Sequence, residues 1–375
     1  CRENAKLNFL ESNNIVVIQG WNTVSSSKTL ETIVKKMSKN PYYLTFEEAK
    51  DDEVPIKLKN NGFVEPFESI TEMYSLPNYK EIDPTPVMAI FYFIFFGMML
   101  SDAGYGLVMV VTTLLALKLF KLDKAMKNFM KLFLYLGIST VIWGAIYGGW
   151  FGDASSQFMH KVVPYLLSPS NQIMVVLGLA VVLGVIHIFV GLGMKAYILL
   201  KQGKVLDTIY DVGLWYISLI GIFLMLGKVG GSIGKIMVIV GFVGLVLTQG
   251  RDADTIGGKL GGGIYGLYGI TGYIGDIVSY SRLLALGLAT GFIANAFNLM
   301  INLIPAPVKY FVGPIIFIGG HLFNLGVNAL GAYVHSSRLQ YLEFFNKFYE
   351  GGGRKFTPFK SVSKFMNVSN EEIDN

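Results

Sequence analysis

Residues 173–194 of this chain read IMVVLGLAVVLGVIHIFVGLGM, a run of 22 residues without a charged side chain. A helix that crosses a bilayer needs about 20 such apolar residues. Similar runs recur from Val87 to Phe348, and only 15% of the 375 residues are charged, against about 25% in a soluble domain. This composition excludes a disordered chain, a disulfide-stabilised scaffold and an ordinary soluble enzyme. It predicts an all-α polytopic membrane protein.

The apolar runs predict about eight transmembrane helices, the last two long and tilted. The first two are the least distinct, because residues 87–120 also fit a single kinked helix. A hairpin would give arms of about 21–26 Å, barely enough for a hydrocarbon core of about 30 Å. We place the spans at about 86–100, 104–120, 130–149, 172–197, 207–227, 233–249, 264–304 and 310–345.

The basic residues are concentrated in alternate loops. Fifteen lysines and arginines flank the loops of one parity or follow the last span, and four flank the other loops. Because loops rich in Lys and Arg stay in the cytoplasm, the C-terminus is expected to be cytoplasmic. A cytoplasmic N-terminal segment then requires an even number of spans, which supports the hairpin. The net charge of +5 is explained by topology, so no nucleic-acid partner is expected.

Residues 1–83 are polar and are predicted to form a separate cytoplasmic segment. The stretch 15–21, IVVIQGW, predicts a short buried strand, and the apolar pattern over 30–37 predicts a helix capped by Ser27. One strand and one helix are too little for a core, so we expect a small α/β remnant of a larger domain. The expected division is a domain fragment at 1–83, a membrane domain at 84–350 and a cytoplasmic tail at 351–375.

The last two predicted spans contain charges. Within residues 261–308 the only charged side chains are Asp276 and Arg282, and within 310–338 the only one is Arg338. A charge at mid-bilayer costs about 2.5–3.5 kcal/mol on insertion scales, so such a residue is usually functional or firmly paired. The alternatives to a functional role are a structural Asp276–Arg282 pair and an Arg338 that reaches the membrane surface.

Two helix faces accompany these arginines. Small side chains share the face of Arg282 and would let a neighbouring helix approach closely. The last span carries a polar stripe that fits either an aqueous half-channel or hydrogen bonding between helices, and its histidines, with His187, are candidate proton relays. The first face consists of Gly275, Ser279, Arg282, Ala285, Ala289 and Ala296, and the second of His321, Asn324, Asn328, Gly331, His335 and Arg338.

Five ordered motifs give the chain a family resemblance. They are DPTP at 83–86, FG at 96–97 with SDAGYG at 101–106, SYSRLLAL at 279–286, HSSRLQYLEF at 335–344, and NKFY at 346–349 with GRKF at 353–356. With these motifs the chain resembles, over essentially its whole length, subunit a of V-type rotary ATPases, which is called subunit I in bacteria and archaea.

The resemblance implies a function and a set of partners. A subunit of this family is a stator that holds two offset half-channels for H⁺ or Na⁺ against a rotor ring of proteolipid c/K subunits. It contacts the peripheral-stalk subunits E and G and, through the stalks, the catalytic A/B head. The implied setting is a bacterial or archaeal plasma membrane with membrane lipid around the helices and both termini in the cytoplasm.

The resemblance also implies roles for residues. Arg282 and Arg338 match the two arginines that face the ion-carrying carboxylate of the ring. Some relatives have an acidic residue where Asn328 stands, and this difference leaves the coupling ion open between H⁺ and Na⁺. The candidates for half-channel lining are His321, Asn324, Asn328, His335, Ser279, Asp276 and Glu343.

The sequence contains no catalytic signature of its own. The Gly-rich stretch 257–272 lacks the Lys-Ser/Thr ending of a phosphate-binding loop, and no Cys/His zinc spacing occurs. No tightly bound cofactor, metal ligand or catalytic residue is therefore expected. The alternatives to a stator channel are a stand-alone secondary transporter or channel, with broken helices near 104–106 and 261–263, and a purely structural anchor.

Overall fold

The computed structural model describes residues 10–11, 15–38, 40–49, 54–159, 164–227, 231–251 and 255–358. The chain divides into two compact units. One comprises Cys1–Lys57, Leu76–Lys80 and Gly351–Asn375, and the other comprises Leu58–Ser75 and Glu81–Glu350. The domain limits drawn from the sequence stay a prediction, and residues 359–375 of the predicted tail lie outside the described residues.

Both units contain helices, and the larger unit is built from them, which confirms the all-α fold. The described helices are α1 (Ser27–Met37), α2 (Glu68–Tyr74), α3 (Thr85–Leu100), α4 (Ala103–Leu119), α5 (Lys124–Tyr147), α6 (Ala154–Met159), α7 (Ile173–Lys201), α8 (Val205–Thr208), α9 (Leu214–Leu226), α10 (Gly231–Thr248), α11 (Ile256–Ser279), α12 (Ser281–Leu303) and α13 (Lys309–Arg338). A π-helical turn, Ile209–Gly213, joins α8 to α9, and a second, Leu339–Phe344, follows α13.

Among the described residues, six helical stretches are long and apolar enough to cross a membrane. Two shorter apolar helices, α3 and α4, precede them, so the count of eight spans stays a prediction. The six stretches are Lys124–Tyr147, Ile173–Lys201, Val205–Met225, Gly231–Thr248, Gly257–Leu303 and Lys309–Lys347.

The smaller unit differs from the predicted buried strand. Its two strands, β1 (Leu10–Glu11) and β2 (Val16–Val17), form a short antiparallel pair. The side chains of Ile15, Val16, Val17, Ile18 and Trp21 are all more than half exposed, so the prediction that 15–21 is buried is wrong. The predicted helix is present but begins at Ser27, so the prediction that Ser27 is its cap is wrong: Ser26 occupies the cap position and makes no capping hydrogen bond from its side chain.

The ambiguous stretch 87–120 is two helices. Ser101 adopts a left-handed backbone conformation (φ 47°) and ends α3, and Asp102 caps α4. Both helices pack against α5, since Gly97 of α3 abuts Ser139 and Gly106 of α4 abuts Val141 and Gly137. These close approaches place both arms of the hairpin directly against α5.

The carboxylate of Asp102 holds the turn of this hairpin. It is 2% exposed and accepts three backbone hydrogen bonds, from Tyr105 and Phe151 at 3.0 Å and from Gly152 at 2.7 Å. Phe151 is in the left-handed region (φ 51°), which is costly for a residue with a side chain. Asp102 thus fixes the segment after α5 against the start of α4.

The segment before α3 is tied to α5 by polar contacts. Glu65 accepts hydrogen bonds from Asn128 and Lys124, both at 3.3 Å, while Glu68 accepts one from Asn60 at 2.8 Å. The bonds from Asn128 and Lys124 lower the pKa of Glu65, whereas burial raises the pKa of Glu68. The lowered pKa favours the ionised form of Glu65, and this carboxylate holds the segment against α5.

The last two spans form an antiparallel pair in which both helices are interrupted. Tyr280 separates α11 from α12 within the single apolar stretch Gly257–Leu303, which agrees with one predicted span over 264–304. The π-helical turn Leu339–Phe344 follows α13 directly after Arg338. Contacts between Asn298 and His321 and between Thr290 and Asn324 set the register of α12 against α13. Each interruption lies within two residues of an arginine.

Replacing Asp102 by Ala should destabilise the protein strongly. The change leaves three buried backbone N–H groups without an acceptor, at a cost of about 3 kcal/mol or more. Thermal unfolding of the detergent-solubilised protein should show a lower midpoint than for Asp123→Ala. Asp123 is an exposed carboxylate whose side chain caps nothing. Equal midpoints for the two variants would contradict the anchoring role.

Replacing Glu65 by Gln should lower the free energy of unfolding at pH 7 by less than about 1 kcal/mol, because Lys124 is largely exposed. A carboxylate with a lowered pKa stabilises the folded state above its ordinary titration range, and this contribution is lost as the pH falls through the folded-state pKa. Denaturation midpoints of the variant and the wild type should therefore converge in acid. Glu31→Gln, on the exposed face of α1, should show no such difference.

Candidate functional site

Arg282 and Arg338 meet where α12 begins and α13 ends. They interact electrostatically with each other, and both interact with His335 and Glu343. We call these four residues the arginine cluster. Arg282 is half-buried and Arg338 is exposed. The two arginines that the sequence singled out on separate spans are thus one site.

Neither guanidinium of the cluster forms a hydrogen bond or an ion pair with any residue that the structure describes. The Nη1 atom of Arg282 is buried and has no partner there. Arginine cannot lose its proton, so a guanidinium inside a bilayer is stable only with a counter-charge or polar groups around it. Besides the nearby carboxylate of Glu343, such a site has the chemistry to bind a further anionic group.

Three more buried polar atoms near these arginines lack a partner in the described chain: His335 Nδ1, Gln340 Nε2 and Glu343 Oε2. The Glu343 side chain is 3% exposed, and it lies within hydrogen-bonding reach of Ser279 as well as in the field of both arginines. Buried polar atoms are normally hydrogen-bonded, so this group marks a polar pocket beside the arginines. Five of the predicted residues come together here: Arg282, Arg338, Ser279, His335 and Glu343.

Asp276 is paired elsewhere. Its Oδ2 atom lies 2.5 Å from Lys347 Nζ, and the ammonium group of Lys347 lies 4.0 Å from the centre of the Tyr273 ring. The alternative of a structural Asp276–Arg282 pair is therefore wrong. This ion pair joins α11 to the end of the last span and leaves Arg282 available. A role of Asp276 in lining a half-channel stays a prediction.

A second group of polar residues, separate from the arginine cluster, contains His321, Asn324 and Asn328 of the polar stripe. His321 Nδ1 lies 2.7 Å from the Tyr105 hydroxyl and His321 Nε2 lies 3.1 Å from Asn298 Oδ1. Asn324 donates to Tyr105 at 2.8 Å and to the Thr290 carbonyl at 3.1 Å, and Asn328 donates to Asn324. We call Tyr105, Asn298, His321, Asn324 and Asn328 the histidine–asparagine network. All five are buried.

The network continues into the turn after α5 through asparagines that the sequence analysis missed. Asn298 donates to the Phe151 carbonyl and to Asp153 Oδ1, and Asn295 accepts the backbone N–H of Asp153. Asn302 donates to Gln157 one turn further on. The spacing of 295, 298 and 302 puts these residues on one face of α12, which is the signal in the sequence that would have identified them.

The surface around Arg282 is lined by small side chains that no described residue covers. Ala285 and Ala296 are exposed, and a Cβ atom added to Gly275, Gly326 or Gly331 would meet no atom within 4 Å. The predicted small-residue face is therefore open and continues from α11 and α12 onto α13. Such a surface lets another helix approach the arginines closely.

The chain matches an established family. The model of the V-type ATPase 116kDa subunit family matches residues 4–161 and 269–361, which include both halves of the site.

Individual relatives agree with this match. The chain is 36% identical over 352 residues to A-type ATP synthase subunit I of Pyrococcus horikoshii, covering 91% of this chain and 52% of that protein. It is 33% identical to A-type ATP synthase subunit I of Methanocaldococcus jannaschii (97% and 58%). It is 28% identical to V-type ATP synthase subunit I of Borreliella burgdorferi (92% and 60%).

The chain spans about half the length of the archaeal relatives and up to three-fifths of the others. The match nevertheless includes the arginine cluster and the turn held by Asp102, and the identities extend over more than nine-tenths of this chain. This polytopic helical protein belongs to the V-type ATPase 116 kDa subunit family.

Proposed function

We propose that this chain is the non-catalytic membrane stator subunit of a rotary ATPase and conducts H⁺ or Na⁺ past a rotor ring. The observation that carries the proposal is the pair Arg282 and Arg338, neither of which forms an ion pair within the described chain, beside an open surface of small residues. A ring of helices that each carry a carboxylate supplies the missing group and fits the open surface.

The electrostatics of the arginine pair explains how it would act. A carboxylate that arrives through lipid is neutral, either protonated or ion-bound, because a bare charge is costly there. Next to two guanidinium groups its ionised form is favoured, so it releases its ion. After the carboxylate has passed the arginines, it binds another ion. The fixed positive charges also block an ion that would otherwise leak directly from one side to the other.

The two polar groups would serve as the two half-channels. The histidine–asparagine network lies at the level where α12 contacts the turn after α5, and the pocket of Glu343, Ser279 and His335 lies at the interrupted ends of the two helices. In this proposal the network leads from the arginines to one side of the membrane, and the Glu343 pocket leads to the other. The positive-loop pattern assigns the Glu343 pocket to the cytoplasmic side, because Lys347 and Arg354 follow it directly.

The proposed setting is a larger assembly. The ATP chemistry belongs to a catalytic A/B head, and stalk subunits E and G hold this subunit against a ring of proteolipid c/K subunits. The relatives are named as ATP synthase subunits, so either hydrolysis or synthesis of ATP fits the proposal.

Arg282→Ala should abolish coupling in the intact complex. We expect ATP-driven ion uptake into vesicles to fall at least about tenfold, because the positive charge that favours ion release is lost, while ATP hydrolysis continues. Arg282→Lys keeps the charge and should retain part of the uptake. Lys309→Ala removes a positive charge from the other end of the same helix pair and should leave uptake unchanged. Normal uptake by Arg282→Ala would refute the proposal.

The same assay identifies the coupling ion. An uncoupler that makes the vesicles leaky to protons abolishes accumulation if the ion is H⁺. Uptake that requires external sodium and survives the uncoupler shows that it is Na⁺. The two outcomes differ in both the sodium requirement and the response to the uncoupler, so one assay distinguishes them.

Asn324→Leu should slow ion uptake about threefold to tenfold, because Asn324 connects Tyr105 and Asn328 within the network and leucine has a similar volume but no polar atoms. Asn171→Leu is the matched control, because Asn171 is exposed in the loop before α7 and belongs to neither polar group. The measurement is the initial rate of uptake at equal amounts of assembled complex. Equal rates in the two variants would argue against a conducting role for the network.

A further inference from the structure

His187 on α7 connects the two interrupted helices that carry the arginines. Its ring is completely buried. Nδ1 lies 2.8 Å from the hydroxyl of Tyr280, and Nε2 lies 3.0 Å from Oε1 of Gln340. Tyr280 is two residues before Arg282, and Gln340 is two residues after Arg338. One imidazole therefore bridges two side chains, each of which is two residues away in sequence from an arginine.

The ring of His187 is held in a fixed orientation. It stacks on Phe344 with a centroid distance of 4.5 Å and an interplanar angle of 15°. Phe91 of α3 contacts it at 4.3 Å, and Phe95 meets it edge-on at 5.1 Å. Because these contacts set the plane of the imidazole, the directions of both ring nitrogens are also fixed.

The two hydrogen bonds define a single proton arrangement. The Gln340 oxygen can only accept, so Nε2 of His187 carries the proton and donates it. Nδ1 then has a free lone pair and accepts the hydroxyl proton of Tyr280. A neutral imidazole satisfies both partners at once, and no aliphatic or purely aromatic residue does so.

Tyr280 also fits closely against the helix of His187. A Cβ atom at Gly184, one turn before His187, would overlap the Tyr280 ring. The glycine thus allows Tyr280 to lie directly against α7. The position of the α11–α12 interruption is set by this contact together with the hydroxyl bond to His187.

We propose that His187 is a positioning residue that sets the spacing of Arg282 and Arg338 by holding Tyr280 and Gln340. The proposal rests on the proposed function. The regular helix hydrogen bonding changes at Tyr280, whose N–H donates to the Ile277 carbonyl, and again in the π-helical turn, so a side-chain bridge adds a fixed reference at these two points. The bridge acts on the arginines and does not touch the transported ion.

Variants of the intact complex test this role. His187→Phe keeps the stacking but removes both hydrogen bonds, and Tyr280→Phe removes only the hydroxyl bond. The matched control is Tyr216→Phe. The Tyr216 hydroxyl donates to the Phe189 carbonyl of the same helix α7, but Tyr216 is distant in sequence from both arginines. The measured quantity is the number of ions taken up per ATP hydrolysed in vesicles.

We expect the ratio of ions to ATP to fall about threefold or more in His187→Phe and Tyr280→Phe, and to stay at the wild-type value in Tyr216→Phe. The double variant of His187 and Tyr280 should be no worse than His187→Phe alone, because both changes break the same bridge. His187→Gln, which retains a donor and an acceptor, should recover part of the ratio.

Two results would overturn the inference. One is an unchanged ratio in His187→Phe and Tyr280→Phe. The other is loss of the assembled complex in all the bridge variants, which would make His187 a residue required for folding. Arg282→Ala separates this inference from the proposed function. If Arg282→Ala uncouples the complex and the bridge variants do not, only the positioning role fails, whereas normal coupling in Arg282→Ala removes the proposed function itself.

Discussion

The structure depends on how charge is accommodated among apolar helices. Asp102 is surrounded by backbone N–H groups, and Asp276 is paired with Lys347. Arg282 and Arg338 differ, because the described chain offers them only the field of Glu343. A guanidinium pair without an ion pair would be expensive in lipid, and this cost is the physical reason for proposing that another molecule contributes an anion there.

The helix interruptions are held by side chains from other helices. Asp102 fixes the turn between α3 and α4, and His187 contacts both Tyr280 and Gln340. Regular backbone hydrogen bonding changes at these interruptions. The two side chains help to set where the next helical segment starts. The irregular points of these helices are thus held by side-chain hydrogen bonds, and buried polar atoms without a partner in the described chain lie beside them.

The sequence predicted the fold class, the helix positions and the arginines, because apolar length and isolated charge are local signals. It did not predict the exposure of 15–21, because an apolar run does not reveal whether anything covers it. It also did not predict the partners of His321 or of Asp276. Tyr105 and Lys347 are distant in sequence from these residues, and such pairings are set by tertiary packing that no spacing rule contains.

The π-helical turn Leu339–Phe344 fixes the rotational register of the end of the last span. A π-turn accommodates one residue more than an α-helical turn, and each residue of an α-helix corresponds to a rotation of about 100°. Glu343 lies within this turn and in the electrostatic field of Arg282. In evolutionary terms, the loss of a single codon in this segment would rotate every following residue by about 100° relative to the arginines, so the length of the segment matters as well as its composition.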